Sequence, residues 1–174
     1  MAEKNNNYIL IGMPGSGKST IGVLLAKALG YDFVDTDLVI QQKGGGLLKE
    51  IIARIGNDGF KQLEEDVNAS IDVNKSVIAP GGSAVYSDKA MRHFKEIGTI
   101  IYLKLDYQTV KRRLGNLKAR GVVLEKGQTL RDLYNERIPY YEKYADITVN
   151  EYGLNVEQTI DKILSLRNEK KCKK

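Results

Sequence analysis

The segment Gly12-Met13-Pro14-Gly15-Ser16-Gly17-Lys18-Ser19 carries residue types suited to a polyphosphate. It fits G-x-x-x-x-G-K-[ST], the glycine-rich loop whose backbone N–H groups point inward at phosphate. Gly12, Gly15 and Gly17 let the backbone approach the ligand closely, with Ser16 held between them. Lys18 supplies a cation for the β- and γ-phosphates, Ser19 a hydroxyl for Mg²⁺, and Thr20 a neighbouring hydroxyl for the α-phosphate. A helix starting near Lys18 adds the positive end of its dipole. The chemistry indicated is ATP binding and phosphoryl transfer.

Four further groups belong with that chemistry. Asp35-Thr36-Asp37 places two carboxylates two residues apart on an extended segment, so both face one side. One suits the water shell of Mg²⁺, and the other can accept the proton of an attacking hydroxyl. Both also suit the start of a helix, where a carboxylate caps free N–H groups, and the two uses are compatible. Gly81-Gly82-Ser83 follows an apolar run and lets a ligand lie close to the backbone. The basic run Lys111-Arg112-Arg113 through Lys118 and Arg120 is punctuated by Gly115 and Gly121, the composition of a lid that covers a phosphoryl-transfer site. Arg137 offers a planar fork for a carboxylate, or a salt bridge to Glu136. The single histidine, His93, sits between basic neighbours and reads as surface decoration.

The elements that must position these groups alternate between strand and helix patterns, which implies an α/β domain with a parallel sheet. Tyr8–Ile11 reads as a buried first strand, Lys18–Leu29 as a helix stopped by Gly30, and Phe33-Val34 as a short second strand. Leu38–Lys43, Leu47–Ile55 and Phe60–Ile71 read as three separate helices, with a break at Gly44-Gly45-Gly46. Ser76–Ala79 is the third strand. Ser87 caps a helix over Asp88–Glu96. Thr99–Leu103 is continuously apolar, as in a sheet covered on both faces. Helices at Tyr107–Leu114, Leu130–Tyr141 and Val156–Leu166, with a strand at Ile147–Val149, complete the pattern.

At 174 residues, with 42% hydrophobic and 28% charged residues, the chain suits one globular domain rather than a disordered one. No apolar run is long enough to span a membrane, and the polar start Met1–Asn7 lacks an apolar signal region. A cytoplasmic, monomeric protein that binds neither nucleic acid nor membrane is expected. The lone Cys172 excludes an internal disulfide and a Cys-rich zinc site. The net charge of +5 comes largely from the last residues, 168–174, expected as a frayed, flexible tail.

In order and spacing these pieces resemble the shikimate kinase family, from Ile9 to about Leu164. The more specific features are the Asp-Thr-Asp after strand two, the Gly-Gly after strand three, and Arg137-Ile138-Pro139-Tyr140-Tyr141. The resemblance implies a single domain of the nucleoside-monophosphate-kinase type, with a five-stranded parallel sheet, a substrate-binding region over about 38–65 and a lid over about 116–126. It implies that Asp35 holds Mg²⁺ through water and that Asp37 contacts the substrate hydroxyls and serves as base. Arg113 would pack on adenine, Arg120 contact phosphate from the lid, and Arg137 pair with the substrate carboxylate. Glu64 would steady the substrate arginines. Gly81, Gly82 and Ser83 would line the substrate. The cofactors implied are ATP and Mg²⁺, and the partner is a small hydroxylated, anionic molecule.

Three stretches depart from the family pattern. Gly56-Asn57-Asp58-Gly59-Phe60-Lys61 has Lys61 where a second carboxylate-binding arginine belongs, and Asn57 where a glutamate belongs. Lysine lacks the fork of arginine. Ser83 replaces a third glycine, adding a side chain and a hydroxyl beside the substrate. Arg120-Gly121-Val122 stands for Arg-Pro-Leu. Shikimate phosphorylation leads; a kinase of another hydroxy acid, polyol or sugar acid stays open, and so does a non-catalytic ATP-binding regulator.

Overall fold

The computed structural model describes residues 6–115, 122 and 124–172. Five strands form one parallel sheet in the order β2-β3-β1-β4-β5. They are β1 (Asn7–Ile11), β2 (Asp32–Asp35), β3 (Ser76–Ala79), β4 (Gly98–Lys104) and β5 (Ile147–Asn150). The helices are α1 (Lys18–Leu29), α2 (Thr36–Gly44), α3 (Leu48–Ala69), α4 (Asp88–Ile97), α5 (Tyr107–Leu114), α6 (Leu130–Tyr144) and α7 (Val156–Cys172).

The inner strands β1, β3 and β4 lack polar–apolar alternation because both faces are covered, and their side chains, pointing alternately to the two sides, feed two cores. The edge strand β5 alternates buried and exposed residues. Ile9, Ile78, Ile100 and Tyr102 pack with Met91 and Phe94 of α4 and Tyr141 of α6. Tyr8, Leu10, Val77, Ile101 and Leu103 pack with Ile21 and Leu25 of α1 and Ile160 and Ile163 of α7. Each of these isoleucines and leucines contributes roughly 1.5–3 kcal/mol by leaving water, which fixes the sheet firmly under the loops that follow its strands.

Gly30 ends α1 in the left-handed region, and the Ser87 hydroxyl caps α4 by accepting from the Ala90 N–H. The span α3 holds two helices that meet at a kink, as expected of Leu47–Ile55 and Phe60–Ile71. Gly56, at φ 74° and ψ 174°, is non-helical and marks the break, so the second helix begins nearer Gly56 than Phe60. Ile51 and Val67, on either side of the kink, pack on Ile40 of α2. The closing helix α7 continues past Leu166 to Cys172 and takes in the first part of the basic tail. His93 is half-buried and its Nε2 lies 2.7 Å from the Ile71 carbonyl oxygen, so it ties α4 to the end of α3 rather than decorating the surface. No described helix is long and apolar enough to cross a membrane.

Candidate active site

A cavity of about 1160 Å³ opens at the carboxyl ends of β1, β2 and β3, where ligands sit in open α/β sheets. The turn between β1 and α1 forms one wall. A Cβ on Gly12 would lie 2.8 Å from the Leu103 carbonyl oxygen, so only glycine lets the loop leave β1 this close to β4. The loop is tied by the Ser16 N–H donating to the Met13 carbonyl. Lys18 folds back over it, its Nζ donating to the Gly12 and Met13 carbonyls at 2.9 and 3.0 Å. Burial holds the Lys18 amine down to about 8, an effect that Asp37 opposes and Arg137 reinforces. An ammonium with so little water is a strong partner for phosphate. Ser19 and Thr20 open onto the same cavity.

The parallel register sets Asp35 of β2 beside Ala79 of β3, so the turns after these strands converge. Asp35 does two things. Its Oδ1 accepts from the Asp37 N–H at 3.0 Å, capping α2, and its Oδ2 accepts from the Ser19 hydroxyl at 3.2 Å. Asp35 thus caps α2, and the same side chain faces Ser19. Ser19 and Asp35 make a hard-oxygen pair of the kind that suits Mg²⁺, which keeps several waters and needs few protein ligands. Asp37 is raised above the usual carboxylate range, first by burial and then by the charge of Asp35, with Lys18 pulling it back.

Gly81 lies between two carboxylates: a Cβ there would be 3.0 Å from Glu64 Oε1 and 3.3 Å from Asp37 Oδ1. Glu64 is buried and raised in pKa by desolvation, which a hydrogen bond from Ser83 partly offsets. That bond corrects the expectation of a new free hydroxyl beside the substrate, because the Ser83 Oγ is engaged by both Glu64 oxygens. It also alters the expected role of Glu64, which forms no ion pair with an arginine among the described residues.

Arg137 projects from α6 and is 7% exposed. Its Nε donates to the Tyr86 hydroxyl at 3.3 Å, and a Cβ on Gly82 would touch its Nη1 at 2.9 Å. It has no ion pair among the described residues, so the salt bridge to Glu136 does not form. Glu136 is taken instead by Tyr86 and Gln128. Lys61, exposed on α3, lines the same cavity. Arg113 lies against the phosphate loop, its Nη1 donating to the Gly15 carbonyl at 3.3 Å. Arg120 and the part of the expected lid over 116–121 lie outside the described residues; Val122 and Leu124 line the cavity.

A family model described as shikimate kinase matches residues 14–167. The chain belongs to the shikimate kinase family. Shikimate kinase of Thermodesulfovibrio yellowstonii is 35% identical over 161 residues, spanning 91% of this chain and 92% of that one. That of Chlorobium chlorochromatii is 34% identical over 174 residues, spanning 94% and 91%. Among solved structures, shikimate kinase from Acinetobacter baumannii in complex with shikimate has 30% identity and a TM-score of 0.85, covering 97% of this chain and 96% of that one.

Several residues of this shikimate kinase family member escaped the sequence reading. Tyr86, Gln128 and Glu136 meet at the mouth of the cavity, from three separate elements. Asn68, one turn beyond Glu64, is wholly buried with neither amide atom bonded to a described residue. Glu151, just after β5, is 4% exposed and pushed by burial to about 7, with Arg113 and Lys18 pulling it down. Only Glu136 had a signal, as the residue before Arg137; the others are unremarkable polar residues until the fold assembles them.

Proposed function

We propose that this protein transfers the γ-phosphoryl group of ATP to a ring hydroxyl of shikimate, acting as a cytoplasmic monomer. The observation that carries the reading is Arg137: a buried guanidinium without an ion pair among the described residues, on the same cavity as Lys18 and Asp37. A buried cation lacking an anion is costly, and an acceptor carboxylate removes that cost. Lys61 adds a point charge to the same anion.

Lys18 leaves the Gly12 and Met13 carbonyls and moves onto the β- and γ-phosphates. Arg113 packs on the adenine, and Arg120 contacts phosphate from the lid. Ser19 and Asp35 would hold Mg²⁺, which would supply charge neutralisation on the phosphates. Asp37 receives the proton as the acceptor oxygen forms its bond to the γ-phosphorus. The bond from that phosphorus to the β,γ-bridging oxygen breaks, and ADP departs with the electron pair. The raised basicity of Asp37 suits it to that proton. Gly81 and Gly82 keep the turn beside the acceptor free of side chains.

Lys61 supports one competing reading, a different hydroxy acid as the better acceptor. The test is ADP release and phosphorylated product measured across small hydroxylated acids, shikimate included. Shikimate is expected to give the highest kcat/KM. A higher value for another acid moves the assignment to that acid, and no turnover with any of them removes the kinase reading.

A further inference from the structure

A guanidinium that grips a carboxylate through two parallel N–H groups must be aimed as well as charged. At the mouth of the cavity, Tyr86 reaches Arg137, Glu136 bonds to Tyr86, and Gln128 bonds to Glu136. Tyr86 ends a short 3₁₀ turn after Ser83, Glu136 precedes Arg137 on α6, and Gln128 lies just before α6. Glu136 is engaged at both oxygens. Its Oε1 accepts from the Tyr86 hydroxyl at 2.5 Å, and its Oε2 accepts from Gln128 Nε2 at 3.0 Å. With its proton directed to Glu136, the Tyr86 oxygen presents a lone pair to Arg137 Nε at 3.3 Å. The Tyr86 ring lies 5.4 Å from the guanidinium carbon, and Tyr140 braces that ring edge-on at 5.3 Å.

We propose that Tyr86 and Glu136 form a positioning relay that aims Arg137 at the carboxylate of the acceptor. The relay rests on the reading of the acceptor as a carboxylic acid. Glu136 acts on the ligand only through Tyr86, and Tyr86 only through Arg137; neither is a catalytic residue. Occupying Nε fixes the plane of the fork and turns its outer edge, with the terminal N–H groups, to the ligand. Glu136 is bonded to Tyr86 and Gln128 and forms no ion pair with Arg137 among the described residues.

The test uses the full-length protein. Tyr86→Phe keeps the ring and removes the hydroxyl, and is expected to raise KM for shikimate roughly 3- to 10-fold, the scale of one lost hydrogen bond. Its kcat and KM for ATP should stay near wild type. Glu136→Ala should have a similar effect alone and none when added to Tyr86→Phe, because it works through that hydroxyl. Glu136→Gln, which keeps an acceptor for Tyr86, should recover most of the loss. Additive effects of Tyr86→Phe and Glu136→Ala, or a fall in kcat with KM unchanged, would overturn the relay. A second readout is independent of the acceptor: the Arg137 Nε–H proton, seen by ¹⁵N-edited NMR, should exchange slowly in wild type and faster in both variants. If wild type does not use shikimate, the acceptor reading fails by itself, and unchanged Nε–H exchange in the variants then rejects the relay.

Discussion

The Ser83 hydroxyl lies 2.8 and 2.9 Å from the two carboxylate oxygens of Glu64. One hydroxyl proton thus steadies a buried carboxylate from the turn after β3, on the floor of the acceptor cavity. Glu64 and Asp37 flank Gly81, and both are raised in pKa: desolvation acts first on each, the charge of Asp35 adds to the effect on Asp37, and the charge of Asp37 adds to the effect on Glu64. The Ser83 hydroxyl therefore helps to orient Glu64 and lowers its hold on a proton.

The double change Lys61→Arg with Ser83→Gly should improve shikimate use. Arginine adds a second fork for the carboxylate, and loss of the Ser83 hydroxyl frees Glu64 to steady that arginine. A fall in KM of roughly 3- to 10-fold is expected, the scale of one added charge-assisted hydrogen bond. Steady-state kinetics with shikimate varied reads it. An unchanged KM would show that these two positions do not govern the acceptor.

Lys18→Ala should abolish phosphoryl transfer, because no other side chain of the loop places a cation at the β/γ oxygens. Lys18 also predicts a proton signature. Its amine is held down to about 8 from 10.5, so the cost of its charge is present below that value and relieved as pH rises through it. Bound phosphate restores the charged form. ATP binding at about pH 8 should therefore take up about half a proton, and affinity should fall as pH rises further. Calorimetry in buffers of different ionisation enthalpy measures the uptake. Equal apparent enthalpies in all buffers would contradict the assignment.

Asp37→Asn keeps the shape and removes the base. Turnover should fall roughly 10²-fold or more while ATP affinity changes little. Asp35→Asn should instead raise the Mg²⁺ concentration needed for half-maximal rate, since its carboxylate faces Ser19. If Asp37→Asn weakened ATP binding and spared the chemical step, the two aspartates would have to exchange roles.

Glu151 predicts a pH-dependent stability. Burial raises it from 4.5 to about 7, so its contribution is fully present below about 4.5 and is lost as pH rises through about 7. Glu151→Gln remains neutral throughout. The variant should melt higher than wild type at about pH 8.5, and the gap should close near pH 4.5. A constant difference in Tm across that range would mean that Glu151 is not titrating there.

The sequence by itself determined the phosphate loop, the parallel α/β order, and the candidate residues proposed for the reaction. Those signals are local: Gly12 to Ser19 is a contiguous loop, Asp35 and Asp37 share one turn, and the strands are continuous apolar runs. Even the caps at Gly30 and Ser87 depend only on near neighbours. What only the tertiary structure decided lies between segments far apart in the chain. Ser83 meets Glu64, and Tyr86 meets Glu136, across 19 and 50 positions. The angle between the two halves of α3 is likewise a tertiary matter: Gly56 marks the kink, and Ile51 and Val67 on its two sides both pack on Ile40. A side chain's type states which bonds it can make. Only the fold settles which partner arrives first, and here it gave Ser83 to Glu64 and Glu136 to Tyr86, and gave Arg137 no ion pair among the described residues.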